Sequence, residues 1–343
     1  MLMYNFKNDY SEGCHPRIIE ALFKTNLEQQ EGYGDDEYCI QAKKLIRNNI
    51  EDQTADIHFV SGGTQANAII IASALRPHES VICAHTGHIN VHEAGAIEAT
   101  GHRINSVYSA DGKITANNIQ TVLDEHTNVP HMVKPKLVYI SNSTEIGTHY
   151  RKQELELLSK FCNVKHLYLF LDGARLGSAL SALDNDITLS DLTKLTDVFY
   201  IGGTKNGALL GEAIVINNKN LKEDFGFHLK QRGALMAKGR LLGIQFAELF
   251  RDDLFFTLAR HANAMAMKIA DAIKNNGYSF LTESTTNQIF PILPNKLIEE
   301  LSKKYSFYVW QKIDEEKSAI RMVTSWATNE EIVNRFIKDL NHK

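Results

Sequence analysis

The chain is predicted to adopt an α/β fold: a mostly parallel large-domain sheet flanked by helices, joined to a small α+β C-terminal domain. Three observations predict it. Between about residues 35 and 245, short apolar runs alternate with longer amphipathic stretches, the pattern of buried parallel strands covered by crossover helices. After Leu241 the pattern changes to one long helical stretch, then short strands and a closing helix. At 343 residues the chain exceeds an average domain, which suits a large domain with a smaller companion.

The strands expected in the first part cover residues 57–60, 80–83, 136–140, 167–171, 197–201 and 212–216. Each is short and rich in Ile, Val, Tyr and Phe, as buried strands are. The helices expected between them cover 64–75, 89–100, 153–163 and 189–195. In the second part a helical stretch over 246–275 precedes strands at 279–281, 288–292, 307–310 and 319–324, and a helix at 329–340. The resulting division is a large domain over residues 16–245 and a small domain formed by 1–15 and 246–343.

Composition narrows the function classes. Apolar residues make up 43% and charged residues 23%, which is ordinary for a globular protein. A net charge of -4 without a basic stripe argues against nucleic-acid binding. Cys14, Cys39, Cys83 and Cys162 form no C-x-x-C pair, so buried free thiols are expected and no metal site. The start lacks the basic-then-apolar pattern of a signal peptide, and no run reaches the roughly 18 apolar residues of a spanning helix. A reducing cytoplasm is the expected location.

Three motifs sit just after expected strands. Ser61-Gly62-Gly63-Thr64 opens a helix, where glycines admit a ligand and free N–H groups face an anion. Taken alone it is also an ordinary glycine turn. Asp172, followed by Gly173, Ala174 and Arg175, lies where open α/β sheets bind their ligands, although an acid there is also a common helix cap. Lys205, in Gly202-Gly203-Thr204-Lys205-Asn206-Gly207, is framed by small residues and not by other charges. Desolvation lowers a lysine's pKa and makes its neutral amine a nucleophile for Schiff-base chemistry. An anion cradle, a carboxylate and such a lysine are what pyridoxal phosphate (PLP) requires: a phosphate site, an acid for the pyridine nitrogen and a Schiff-base lysine.

In their order and spacing these motifs closely resemble the threonine aldolases of the fold-type I PLP enzymes, particularly the bacterial low-specificity L-threonine aldolases. The resemblance spans nearly the whole chain. It starts in residues 5–13 and continues through Gly32-Tyr33-Gly34-Asp35-Asp36-Glu37 and Gly87-His88-Ile89-Asn90, with Glu93 and Gly95. It runs on through Ser143-Thr144-Glu145-Ile146-Gly147-Thr148 and the Asp172 and Lys205 motifs to Arg321-Met322-Val323-Thr324-Ser325.

By position, the resemblance implies that Lys205 bonds covalently to PLP and Asp172 pairs with the pyridine nitrogen. It implies that Gly63 and Thr64 hold the phosphate and that His88 stacks on the ring and relays protons. Arg175 and Arg321 would bind the substrate carboxylate, with Asn8 nearby. Tyr33 and Lys230 would reach the cofactor of a partner subunit in a homodimer or homotetramer. His85 and His92 are given structural roles. Where many relatives carry a histidine after threonine, this chain has Glu145, which leaves the base to Glu145 or His88.

The activity implied is cleavage of L-threonine, L-allo-threonine and related L-β-hydroxy-α-amino acids to glycine and an aldehyde. The same scaffold also supports β-elimination, as in tryptophanase- or cysteine-desulfhydrase-like lyases, and transamination. A silent binding module is the other alternative; its signature would be loss of the lysine, acid or arginines, and all are present.

Overall fold

A computed structural model describes residues 3–341. Its main layer is a seven-stranded sheet of β1 (Asp56–Val60), β2 (Glu79–Ala84), β3 (Ile104–Val107), β4 (Lys134–Ser141), β5 (Tyr168–Asp172), β6 (Val198–Gly202) and β7 (Glu212–Ile216). The spatial order is β1-β7-β6-β5-β4-β2-β3. All neighbours run parallel except β7, which is antiparallel to both β1 and β6. The C-terminal ends of β1, β2, β4, β5 and β6 therefore emerge on one edge, and β7 begins there. Six loops and strand ends that carry polar side chains are gathered on this edge.

Side-chain alternation along the strands splits the interior into two cores. Leu169 and Leu171 pack into one with Ile57, Val138, Ile201 and the helix Arg240–Leu249. Phe170 points the other way, into a core with Val81, Tyr139, Tyr200 and the helix Gly63–Ala74. A third core lies under a smaller antiparallel sheet of β8 (Gln288–Ile289), β9 (Ile292–Pro294), β10 (Tyr308–Lys312) and β11 (Lys317–Val323). Phe6 is buried there because Tyr4–Asn5 pairs with Tyr305–Ser306. This anchors the N-terminal segment beside the larger sheet's ligand edge.

The helix Leu254–Asn275 bridges the two parts. Leu254, Phe255 and Leu258 pack on the large core, whereas Met265, Ile269 and Ile273 pack on the small one. Position 245 lies inside the helix Arg240–Leu249, whose Phe246, Ala247 and Leu249 pack in the large core. We therefore propose that the domain boundary falls within Leu254–Asn275.

Two expected helices differ from the structure. Over 89–100 only His88–Val91 and a 3-10 turn at Glu98–Thr100 form, because Ala94 (φ 51°) and Gly95 (φ 76°) are left-handed. The stretch 246–275 is divided after Leu249, and Asp252 and Asp253 carry φ of 55° and 59° at the break. Edge strand β3 and the helices Pro16–Thr25, Glu37–Ile50 and Ala116–Glu125 add to the expected set. Among the described residues no helix is long and apolar enough to cross a membrane.

Close backbone approach shapes the ligand edge at Gly173. A Cβ there would sit 1.8 Å from the Tyr200 carbonyl oxygen. Gly173→Ala is expected to lower stability by about 3 kcal/mol or more, at the upper end of overpacking costs, read as a shift in the urea unfolding midpoint.

Candidate active site

The ligand edge opens into a cavity of about 660 Å³, a size suited to a cofactor with a small substrate. Gly62, Gly63 and Thr64 line it at the start of the helix Gly63–Ala74. Gly62 offers no capping side chain, so the first N–H groups are open to an anion. His88, Glu145, Asp172, Arg175, Lys205 and Arg321 line the same cavity. The structure thus brings together eight of the sequence-predicted residues.

Asp172, at the end of β5, is buried and fully engaged. Its Oδ1 accepts the Ala174 N–H at 2.9 Å, and its Oδ2 accepts the Tyr139 hydroxyl at 2.6 Å and Asn67 Nδ2 at 3.2 Å. Burial, then the charge of Asp172, raises the Tyr139 and Tyr200 hydroxyls well above the usual phenol range, so both remain donors beside that carboxylate. Asn67 Nδ2 also donates to Glu93 Oε1 at 2.6 Å, and the same oxygen lies 2.7 Å from His88 Nδ1. Glu93 thereby holds the imidazole in place through its Nδ1.

Glu145 completes the other side. Its Oε1 accepts the His88 backbone N–H at 2.9 Å and the Ser141 hydroxyl at 2.7 Å. Burial, reinforced by Asp172, raises its pKa above the usual carboxylate range.

The cations are treated unequally. Arg175 donates from Nε and Nη2 to the two oxygens of Asp9, at 2.7 and 3.0 Å. Asn287 Nδ2 holds the same Asp9 at 2.9 Å. Burial opposes both charges, yet mutual attraction prevails: the Asp9 pKa is lowered and the Arg175 pKa raised. Among the described residues Arg321, on β11, finds only neutral acceptors, with Gln288 Oε1 at 2.7 Å from Nη2 and 3.2 Å from Nε. Burial and then repulsion from Arg175 push its pKa down to about 10. A desolvated guanidinium with neutral partners is a ready carboxylate site. For Lys205, burial first and Arg175 second lower the amine's pKa.

Three expected residues lie outside this cavity's lining. Asn8 accepts the Ser11 hydroxyl at 2.8 Å and the Tyr10 N–H at 3.2 Å. Tyr33 and Lys230 meet each other at the surface, with the ammonium 4.4 Å from the ring centroid. Conversely, sequence reasoning assigned no role to Asp9, Asn67, Tyr139, Tyr200, Glu212 or Gln288. Only Glu212, an acid opening an apolar run, carried a signal in the sequence.

A central parallel sheet with its ligand edge at strand ends, covered by a small C-terminal domain, defines the fold-type I α/β class. Within that class the chain belongs to the beta-eliminating lyase family, which matches residues 6–295. It is 32% identical to the low specificity L-threonine aldolase of Pseudomonas aeruginosa over 339 residues, covering 98% of this chain and 96% of that protein. Against the Escherichia coli K12 low specificity L-threonine aldolase, identity is 24% over 293 residues, 84% of each. The solved structure of Leishmania major threonine aldolase superposes with a TM-score of 0.97 at 49% identity, covering 98% of both chains. An aspartate aminotransferase of Thermus thermophilus shares the fold alone, with a TM-score of 0.71 at 12% identity, covering 98% of this chain and 90% of that one.

Removing Asp9 would strand the buried Arg175 charge. Asp9→Ala is expected to cost about 3–5 kcal/mol, the range for breaking a buried pair from one side, and Asp9→Asn less. Denaturant melts of the two variants check this.

Proposed function

We propose that this chain is a PLP-dependent aldehyde-lyase that cleaves L-threonine, L-allo-threonine and related L-β-hydroxy-α-amino acids to glycine and an aldehyde. The observation that carries the reading is one cavity holding an uncapped helix start, a hydrogen-bonded buried acid and a desolvated lysine. These donors fit PLP: Gly63 and Thr64 would hold the phosphate, Asp172 the pyridine nitrogen, Lys205 the aldehyde carbon and His88 the ring. Bound PLP supplies the electron sink for the pair left on Cα.

The protein's own groups set which bond breaks. Arg321, without an internal anion, takes the substrate carboxylate, and the N–H groups that Arg175 does not give to Asp9 assist. Fixing the carboxylate orients the Cα–Cβ bond. Glu145 accepts the β-hydroxyl proton, its raised pKa suiting it to general-base work. The β-oxygen then forms the aldehyde carbonyl as Cα–Cβ breaks, and Cα takes up a proton to give glycine. His88, oriented by Glu93, is the other group able to move a proton at this face.

We further propose a homodimer or homotetramer in which Tyr33 and Lys230 serve the partner's cavity, supported by their exposure outside their own. A cytoplasmic location is supported by four free cysteines.

Incubation of the PLP-loaded protein with L-threonine is expected to yield equimolar glycine and acetaldehyde. Pyruvate from serine or cysteine without glycine would instead indicate β-elimination, and amino transfer to an oxo acid a transaminase. A base must be ionised to act, so the rate should fall as pH drops through the raised Glu145 pKa. Glu145→Gln is expected to reduce kcat by about 10²–10⁴-fold and to abolish that acid limb, measured by initial rates across pH.

A further inference from the structure

Strand β7 opens with Glu212 and is otherwise apolar: Glu-Ala-Ile-Val-Ile. Its register sets Glu212 opposite Val60 on one side and Gly202 on the other. Val60 leads into the Ser61–Thr64 anion cradle, and Gly202 leads into the loop that carries Lys205. A buried acid, 4% exposed, is therefore wedged between the two halves of the cofactor site. Its Oε2 accepts the Gly203 N–H at 3.0 Å, and the Thr204 hydroxyl also bonds its carboxyl. The reaction described above gives it no task, and an apolar residue would satisfy the strand at less desolvation cost.

We propose that Glu212 is a positioning residue that adds to the proton affinity of Lys205, alongside Asp9 and Asp172, and thereby shifts the pH range in which this amine bonds to an aldehyde cofactor. The groups acting on Lys205 are Arg175 on the loop after β5, Asp9 on the N-terminal segment, Asp172 on β5 and Glu212 on β7, and Lys205 in turn acts on His92. Of the three anions, Asp9 is hydrogen-bonded to Arg175, and Asp172 to Tyr139 and Asn67. Among the described residues Glu212 is held by a backbone N–H and a hydroxyl, and the cation acting on it is Lys205. Asp172 faces it as well, and Tyr200 feels its charge.

Burial pushes the Glu212 pKa up to about 8, with Lys205 opposing the rise. Two groups that interact this closely titrate as a pair. As Lys205 loses its charge, Glu212 gains proton affinity.

The inference rests on Lys205 as the cofactor lysine, but its test needs no cofactor and no substrate. In cofactor-free protein, cyanate carbamylation of Lys205 is followed against pH by peptide mass spectrometry, with exposed Lys160 as internal reference. Glu212→Gln keeps an acceptor for the Gly203 N–H and removes the charge. It should move the Lys205 midpoint down by about one pH unit, a tenfold faster modification on the acid side. Coupling is reciprocal, so Lys205→Met should raise the Glu212 carboxyl midpoint, read by carbon-13 NMR, by the same amount.

An unchanged Lys205 midpoint in a Gln variant with native circular dichroism would overturn the proposal and leave Glu212 as an anchor for the Gly203 loop. If that variant does not fold, the Lys205→Met titration decides: an unmoved Glu212 midpoint overturns the proposal equally. Intact coupling in a protein that releases no glycine from L-threonine would sink the proposed reaction and leave this inference standing.

Discussion

The structure of the site depends on keeping the carboxylate of Asp172 in a buried place. An acid removed from water is tolerated only when hydrogen bonds replace its hydration. Tyr139, Asn67 and the Ala174 N–H supply them. Those partners impose further requirements. Asn67 must also reach Glu93, Glu93 fixes the His88 imidazole, and the His88 backbone N–H binds Glu145. Residues from β4, β5, the helix Gly63–Ala74 and the loops after β2 and β4 are thus tied to one anion. Such a network rigidifies a buried site, so its geometry is set before any ligand arrives.

A second arrangement follows from charge. Arg175 and Arg321 face the same cavity and repel each other. Asp9 neutralises the first through two hydrogen bonds, and the second keeps only neutral partners. The arginine without an anionic partner among the described residues is the one on the smaller sheet, so substrate charge would be taken up between the two sheets. Asp9 arrives from the N-terminal segment, held down by Phe6 in the third core. Packing far from the cavity therefore decides which arginine is free.

Much of this was legible in the sequence. Every central strand of the large sheet matched an apolar run, because strands buried on both faces are mostly apolar. Edge strand β3 was missed because Asn105 and Ser106 dilute its run. The expected helix at 89–100 failed at Ala94 and Gly95, where backbone angles and not periodicity decide. Lys205, Asp172 and Thr64 stood out through their places after strands. Asp9, Asn67 and Gln288 did not, since their roles come from contacts across 166, 105 and 33 positions of the chain. Such pairings are produced by topology and leave no local pattern. Tyr139 and Tyr200 read as core residues, and they are; their hydroxyls are what the acid needs.

Lys205 is proposed as the residue around which this cavity would hold PLP. Borohydride reduction of the PLP-loaded protein, followed by peptide mapping, is the decisive experiment. One stable cofactor adduct per chain is expected, carried by the peptide containing Lys205. An adduct on a different lysine, such as Lys230, or protein that retains no cofactor after loading, would contradict it.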